Sequence, residues 1–187
     1  MRGALILLLA LGAGSGASDA LRERAEEIRQ ALPPPGAPVT PAVRQKLEDL
    51  ITRSIDLRGM VQTALGPHWK TMTEKQRRRV ISAFESRFRQ ASGGELDPYR
   101  DTHIEYRPEQ VEGDGIVKIP THVVVKGEPT DITYAMRHEK DGWRIVDITI
   151  DDVSTVETYR SSFARIIAKD GVEGLIRRLE RGPAKKS

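Results

Sequence analysis

The sequence predicts an α+β domain in which a curved four-stranded antiparallel sheet is wrapped by helices. Three observations predict it. Apolar residues recur at helical spacing up to about residue 92, the period falls to 2 between residues 102 and 150, and a helical stripe returns after Ser154. The links between the period-2 segments are short and rich in Gly, Asp and Pro, as an antiparallel meander requires. The chain has 187 residues, 38% of them hydrophobic, which suits one domain with a helical annex. It contains no Cys, so neither a disulfide nor a thiolate site supports the fold, which rests on packing.

At the N-terminus, Arg2 precedes the ten-residue apolar stretch Ala4–Ala13, and Ser15-Gly16-Ala17 supplies the small residues that a signal peptidase needs. Residues 1–17 read as a signal peptide, with cleavage after Ala17 or Ala20. Ten apolar residues in a helix span about 15 Å, half of a bilayer's hydrocarbon core, so a membrane anchor is disfavoured. Residues 18–39 form an N-terminal helix and a Pro-rich linker. The helix carries Leu21, Ala25, Ile28 and Leu32 and stops at Pro33-Pro34-Pro35-Gly36, where successive amide donors are missing.

The main domain is expected over residues 40–181, with a flexible tail at 182–187. Thr40-Pro41 sets an N-cap followed by proline at the first helical position, and Val43, Leu47, Leu50, Ile51, Val61 and Leu65 continue a helical stripe to Gly66-Pro67, with a break expected at Gly59. Thr73-Glu74-Lys75-Gln76 is a capping box. The helix it starts buries Val80, Ile81, Phe84 and Phe88 and ends at Ser92-Gly93-Gly94. Strands follow at about 102–107, 116–126, 132–139 and 143–150. On the second, Ile116 and Val124 oppose Val117, Ile119, Val123 and Val125; on the fourth, Val146, Ile148 and Ile150 oppose Trp143 and Ile145. Apolar residues on both faces predict helical cover on both sides. Ser154 then caps a helix bearing Val156, Tyr159, Phe163, Ile166 and Ile167, which closes at Asp170-Gly171, and a last helix carries Val172, Leu175, Ile176 and Leu179.

Composition and spacing exclude several functions. The net charge is only +3, and +2 once residues 1–17 are removed, too little for a polyelectrolyte grip on nucleic acid, and aromatics at 5% supply no base-stacking surface. The four histidines, His68, His103, His122 and His138, stand singly, without the i, i+4 spacing that would aim two imidazoles at a metal. His122 and His138 lie on neighbouring strands, where they could approach each other. Asp147 on the fourth strand has two readings: a general base inside the sheet, or a carboxylate that bonds a turn or an arginine such as Arg160. Arg77-Arg78-Arg79 reads as a solvated helix face or as a surface for an anionic headgroup or acidic partner.

Several separate motifs, in order, resemble the MlaC family, also called toluene-tolerance auxiliary proteins. They are Ala64-Leu65-Gly66-Pro67-His68-Trp69-Lys70, then Thr73-Glu74-Lys75-Gln76-Arg77 with Phe84 and Phe88, then Gly142-Trp143-Arg144-Ile145-Val146-Asp147 and Asp152-Val153-Ser154. Tyr159-Arg160-Ser161-Ser162-Phe163 and Gly171-Val172-Glu173-Gly174-Leu175-Ile176 complete the set. The resemblance runs from about Val43 to Leu179. It implies a periplasmic phospholipid-binding shuttle between an outer-membrane lipoprotein complex and an inner-membrane ABC transporter with its MCE subunit. The implied fold is similar to nuclear transport factor 2 with an added helical subdomain; the implied protein is a monomer with no cofactor, no metal and no enzymatic activity. Asp152 stands where the family usually has glycine, and Ala91-Ser92 replaces the usual Thr/Ala-Tyr, which changes the charge of the mouth and removes one aromatic wall.

A lipid carrier needs an apolar hollow of several hundred Å³ and no reacting group. The lining expected from this reading is Leu65, Trp69, Phe84, Phe88, Val117, Ile119, Val123, Tyr134, Met136, Tyr159, Phe163 and Ile167, with Arg77, Arg78 and Arg79 for headgroup or partner docking. The same residues also suit a filled core. A hopanoid carrier, a periplasmic adaptor without ligand and a small cavity enzyme using Asp147 are the alternatives.

Overall fold

The computed structural model describes residues 16–34, 37–92, 103–125 and 127–181. Among these it has helices α1 (Ala17–Ala31), α2 (Pro41–Ser54), α3 (Leu57–Leu65), α4 (Pro67–Thr71), α5 (Glu74–Ser92) and α6 (Thr155–Arg181). The strands are β1 (Ile104–Tyr106), β2 (Gln110–Val111), β3 (Ile116–Val125), β4 (Glu128–Glu139), β5 (Gly142–Ile150) and β6 (Val153–Ser154). They form one antiparallel sheet in the order β1-β3-β4-β5-β6, with β2 also paired to β3. The four expected strands are present, and the two extra ones are two-residue edges, too short to show a period. The expected signal peptide falls outside the described residues up to position 15, and the expected tail does so entirely. The signal's last residue, Ala17, opens α1.

Local chemistry accounts for most helix ends. Val43 N–H donates to Thr40 Oγ1 at 3.3 Å, and Pro41 occupies the first helical turn. The capping box is reciprocal: Gln76 N–H donates to Thr73 Oγ1 (3.3 Å) while Thr73 N–H donates to Gln76 Oε1 (3.0 Å). Glu157 N–H donates to Ser154 Oγ at 3.1 Å, the cap expected for α6. The break expected at Asp170-Gly171 is present: Gly171 (φ 68°, ψ 177°) is not helical, so α6 is two helical segments joined at a residue whose φ admits no side chain without strain.

The break expected at Gly59 falls instead at Ile55-Asp56. Ile55 is extended and bridges Ile145, and Asp56 N–H donates to Ile145 O at 2.9 Å, so the chain leaves the helix to complete the β5 edge. Gly59 sits inside α3 for a different reason. Its N–H is capped by Asp56 Oδ1 at 2.8 Å, and a Cβ at residue 59 would overlap that carboxylate.

Cover on both sheet faces is not what forms. The inner face carries Val117, Ile119, Thr121 and Val123 of β3, paired with Met136, Tyr134, Ile132 and Thr130 of β4. Sheet and helix residues, α1 included through Ala17 and Leu21, join in one cluster on this side. The outer face presents Lys118, Pro120, His122, Asp131, Thr133 and Arg137, and Val124 there is 51% exposed. The cause lies in a register shift in β5: Asp147 pairs with Ala135 but Ile145 with Met136, so Val146 is a bulge. The bulge brings Ile145 and Ile148, which strict alternation would oppose, to the same face. A second, smaller cluster joins Ala31 of α1 to Leu47 and Leu50 of α2.

The turn between β5 and β6 holds Asp151 (φ 44°) and Asp152 (φ 64°) in the left-handed region. This conformation costs an L-residue energy that glycine does not pay, a cost that Asp151 and Asp152 both carry here.

Candidate functional site

The layer between the inner sheet face and α3, α5 and α6 is the main apolar region. From the sheet come Val117, Ile119, Met136 and Ile145; opposite them lie Leu57, Met60, Val61 and Leu65 of α3, Val80 and Phe84 of α5, and Val156, Phe163, Leu175 and Ile176 of α6. Phe84 meets Tyr159 edge-on at 4.9 Å and Phe163 at 6.3 Å, and Tyr159 lies 5.6 Å from Phe163. The i, i+4 spacing of Phe84 with Phe88, and of Tyr159 with Phe163 and Ile167, places each set on one helical face. Among the described residues, the buried polar ones are Ser54 and Thr121, whose hydroxyls donate to Leu50 O and Ile132 O, both at 2.8 Å. The layer is therefore held by apolar contact.

Eleven of the twelve expected lining residues meet here. Leu65, Phe84, Val117, Ile119, Met136 and Phe163 are buried in the cluster, and Trp69, Phe88, Tyr134, Tyr159 and Ile167 pack against it partly buried. Val123 is also buried but lies outside that cluster, toward the β1 end of β3. At the far end of the inner face, beyond Ile132, the cover thins: Ile150 is 45% and Val153 61% exposed.

A charged cleft lies elsewhere and was not foreseen. It has a volume of about 710 Å³ and is walled by the end of α2 (Asp49, Thr52, Arg53), the start of α3 (Asp56, Arg58), Glu85 and Arg89 of α5, and Glu139, Lys140, Asp141 and Arg144 around the β4–β5 turn. Its apolar members are Ile55 and Leu57, which also belong to the apolar cluster. Three separated segments supply it, so no spacing in the sequence marks it. A second cleft of about 330 Å³ lies between α5 and the end of α6.

The three arginines are not equivalent. Arg77 pairs with Glu74 at 2.7 Å, donates to Trp69 O at 3.1 Å and rests over the Trp69 ring. Arg79 clamps α6 through Glu173 (2.9 Å) and Glu180 (3.0 Å). Hydrogen bonds from Gln76 and Arg79 hold the Glu173 carboxyl below its ordinary range. Arg78 is exposed, with no such partner among the described residues.

Asp147 has the second of its two roles. Its Oδ1 accepts from Ile148 N–H (2.8 Å) and Val156 N–H (3.0 Å), and its Oδ2 accepts from Ser154 Oγ–H at 2.6 Å, so the carboxylate fastens β5 to the start of α6. Arg160 does not join it, pairing instead with Glu157 at 2.7 Å. His122 and His138 do not meet either. His122 faces Asp131 across the β3–β4 ladder at 2.7 Å, and His138 lies seven positions further along β4, about 23 Å away, against Trp143. The hydrogen bond to His122, with Arg107 nearby, keeps the Asp131 carboxyl below its usual value. Among the described residues, no group of three or more His, Asp or Glu is placed to hold a metal ion.

The family model described as MlaC protein matches residues 33–181. Among solved structures, the chain is similar to a phospholipid-binding protein from Ralstonia solanacearum, determined in complex with a phospholipid. The two are 26% identical, the match covers 88% of this chain and 92% of that one, and the TM-score is 0.71.

Proposed function

This chain belongs to the MlaC family, and we propose that it is a phospholipid carrier whose acyl-chain site is the apolar layer between the sheet and α3, α5 and α6. The single observation that carries this reading is the uncharged character of that layer, in a fold shared with a protein solved with its phospholipid. A phospholipid with about thirty chain methylenes, at about 0.8 kcal/mol each, stands to lose roughly 24 kcal/mol if its tails enter water. Any carrier must offer the tails a substitute for the bilayer interior.

The layer can do so by parting. Separating α5 from the sheet exchanges contact between side chains for contact with hydrocarbon, a nearly even exchange. The side-chain tethers of α5 run to other helices: Arg77 to α4, Arg79 to α6 and Arg89 to Asp49 of α2. Direction does not reside in a carrier of this kind, because a near-isoenergetic exchange is driven by its partners.

The full role proposed is that of a periplasmic monomer, exported by residues 1–17 and carrying lipid between an outer-membrane complex and an inner-membrane ABC transporter. In this reading residues 40–181 are the lipid-binding domain, and Arg78 is the member of the arginine run free to meet an acidic partner. Carriage requires no reacting group, in keeping with the engagement of Asp147 as a cap and of His122 and His138 in surface contacts. A second reading is a ligand-free adaptor, in which the buried residues of the layer serve only as core.

Vesicle transfer separates the two. With labelled phospholipid in donor vesicles and unlabelled acceptors, the carrier raises the transfer rate in proportion to its concentration, well above spontaneous desorption. A rate that does not depend on protein concentration leaves the adaptor.

A further inference from the structure

We infer that an export peptidase hydrolyses the bond between Ala17 and Ser18 and that the new α-ammonium of Ser18 docks on the Glu109 carboxylate, fastening α1 beside the short β2 edge. The inference rests on the export reading above and goes beyond it by naming the group that receives the mature terminus. In the cut, water adds across the peptide bond. The carbonyl carbon of Ala17 takes the oxygen and leaves as a carboxylate, and the nitrogen of Ser18 takes the protons and becomes the ammonium.

Geometry is the first argument. Ser18 N–H donates to Glu109 Oε1 at 2.8 Å, across 91 positions of sequence, and the contact is half-buried. The atom that the cut charges is therefore the atom that already faces a carboxylate. An ammonium at the start of a helix sits at the positive end of the helix dipole and needs an anion beside it. Glu109 supplies one from the connection between β1 and β2, and Asp19 in the first turn supplies a second. Charging the donor converts a neutral hydrogen bond into a charge-assisted one, roughly twice as strong.

The place of the cut is the second. Small residues stand one and three positions before both bonds that the sequence offers, Ala17 and Ser15 in one case, Ala20 and Ser18 in the other. A cut after Ala20 discards Ser18 and with it the contact to Glu109. It also places the ammonium on Leu21, a residue 6% exposed in the apolar cluster, where a charge loses its water. A cut after Ala17 gives up one buried methyl group and keeps every other anchor of α1: Leu21 in the cluster, Arg22 lying 3.8 Å over the Tyr106 ring, and Arg24 Nη2 donating to Trp143 O at 3.3 Å.

Order is the third. Ala17 is 0% exposed and lies in the first turn of α1, so the bond after it is closed to a peptidase once the helix has docked. Cleavage precedes docking, and the freed terminus then completes it.

The experiment expresses the complete chain in a Gram-negative host, recovers it from the periplasm and reads its start by intact mass and N-terminal sequencing. A start at Ser18 is the expected result. A start at Leu21 overturns the inference and leaves export standing, whereas an uncut chain overturns the export reading and this inference with it. Docking is read by hydrogen exchange of the processed protein, at the amides of Arg22 to Ala25, which bond to the carbonyls nearest the terminus. Glu109→Ala should speed their exchange about twofold to fivefold, the range that a partly exposed ion pair supports, and E109Q, which keeps a neutral acceptor, by less. Amides near Ala31, which packs on α2, should not change. Equal exchange in the wild type and E109Q overturns the docking of a charged terminus, because that variant removes only the charge of its acceptor.

Discussion

Replacing Phe163 with alanine is expected to destabilise the protein by about 3–5 kcal/mol, the range found when a buried aromatic ring is deleted from a packed core. Phe163 is 2% exposed and its ring meets both Phe84 and Tyr159. Its loss removes the apolar burial and leaves a void that sheet and helices fill incompletely. For a domain of this size each kcal/mol moves the melting temperature by roughly 2–4 °C, so a fall of roughly 6–20 °C should be visible by circular dichroism or calorimetry. A loss under about 1 kcal/mol would mean that Phe163 borders open space and not a filled layer.

Asp147→Ala is the second large effect, with an expected cost of about 2–3 kcal/mol, because three donors lose a charged acceptor at once. The change detaches the start of α6 from β5 and frees Ser154 Oγ–H. Asp147→Asn keeps one carbonyl oxygen for the backbone donors and should cost less, while the amide nitrogen it introduces can donate to Ser154 Oγ if the hydroxyl turns. Chemical denaturation of the two variants tests the order. Equal, negligible losses would show that the carboxylate does not act as this fastener.

How much of this was legible in the sequence follows from how local each signal is. The capping box at Thr73 and the caps at Thr40 and Ser154 were readable because donor and acceptor lie within three residues of each other. The Asp56 cap is equally local, but Gly59 drew the expected break to itself; a glycine inside a helix can be there to admit a neighbouring side chain. Strand positions were readable from alternation and sidedness within β5 was not, since the bulge at Val146 resets its phase and brings Ile145 and Ile148 to one face. The aromatic and aliphatic residues of the candidate tail site were legible as helical and strand stripes, because burial imposes periodicity. The charged cleft was not. Its residues come from three segments that only the tertiary fold brings together, and each segment alone looks like ordinary solvated surface.

The central claim is that hydrocarbon tails displace side-chain contacts between the sheet and the helices that cover its inner face. The most direct measurement is organic extraction and lipid mass spectrometry of protein purified without detergent, comparing the wild type with Val117→Trp, whose larger side chain projects from a position 3% exposed on the inner face. Phospholipid on the wild type, and a clear loss of it in a variant that retains its circular dichroism spectrum and cooperative melting, is the predicted result. Should Val117→Trp unfold, the smaller change Val117→Leu takes its place with a smaller loss expected. A wild type free of lipid, or folded variants that carry as much as the wild type, would contradict the assignment of that layer to the acyl chains.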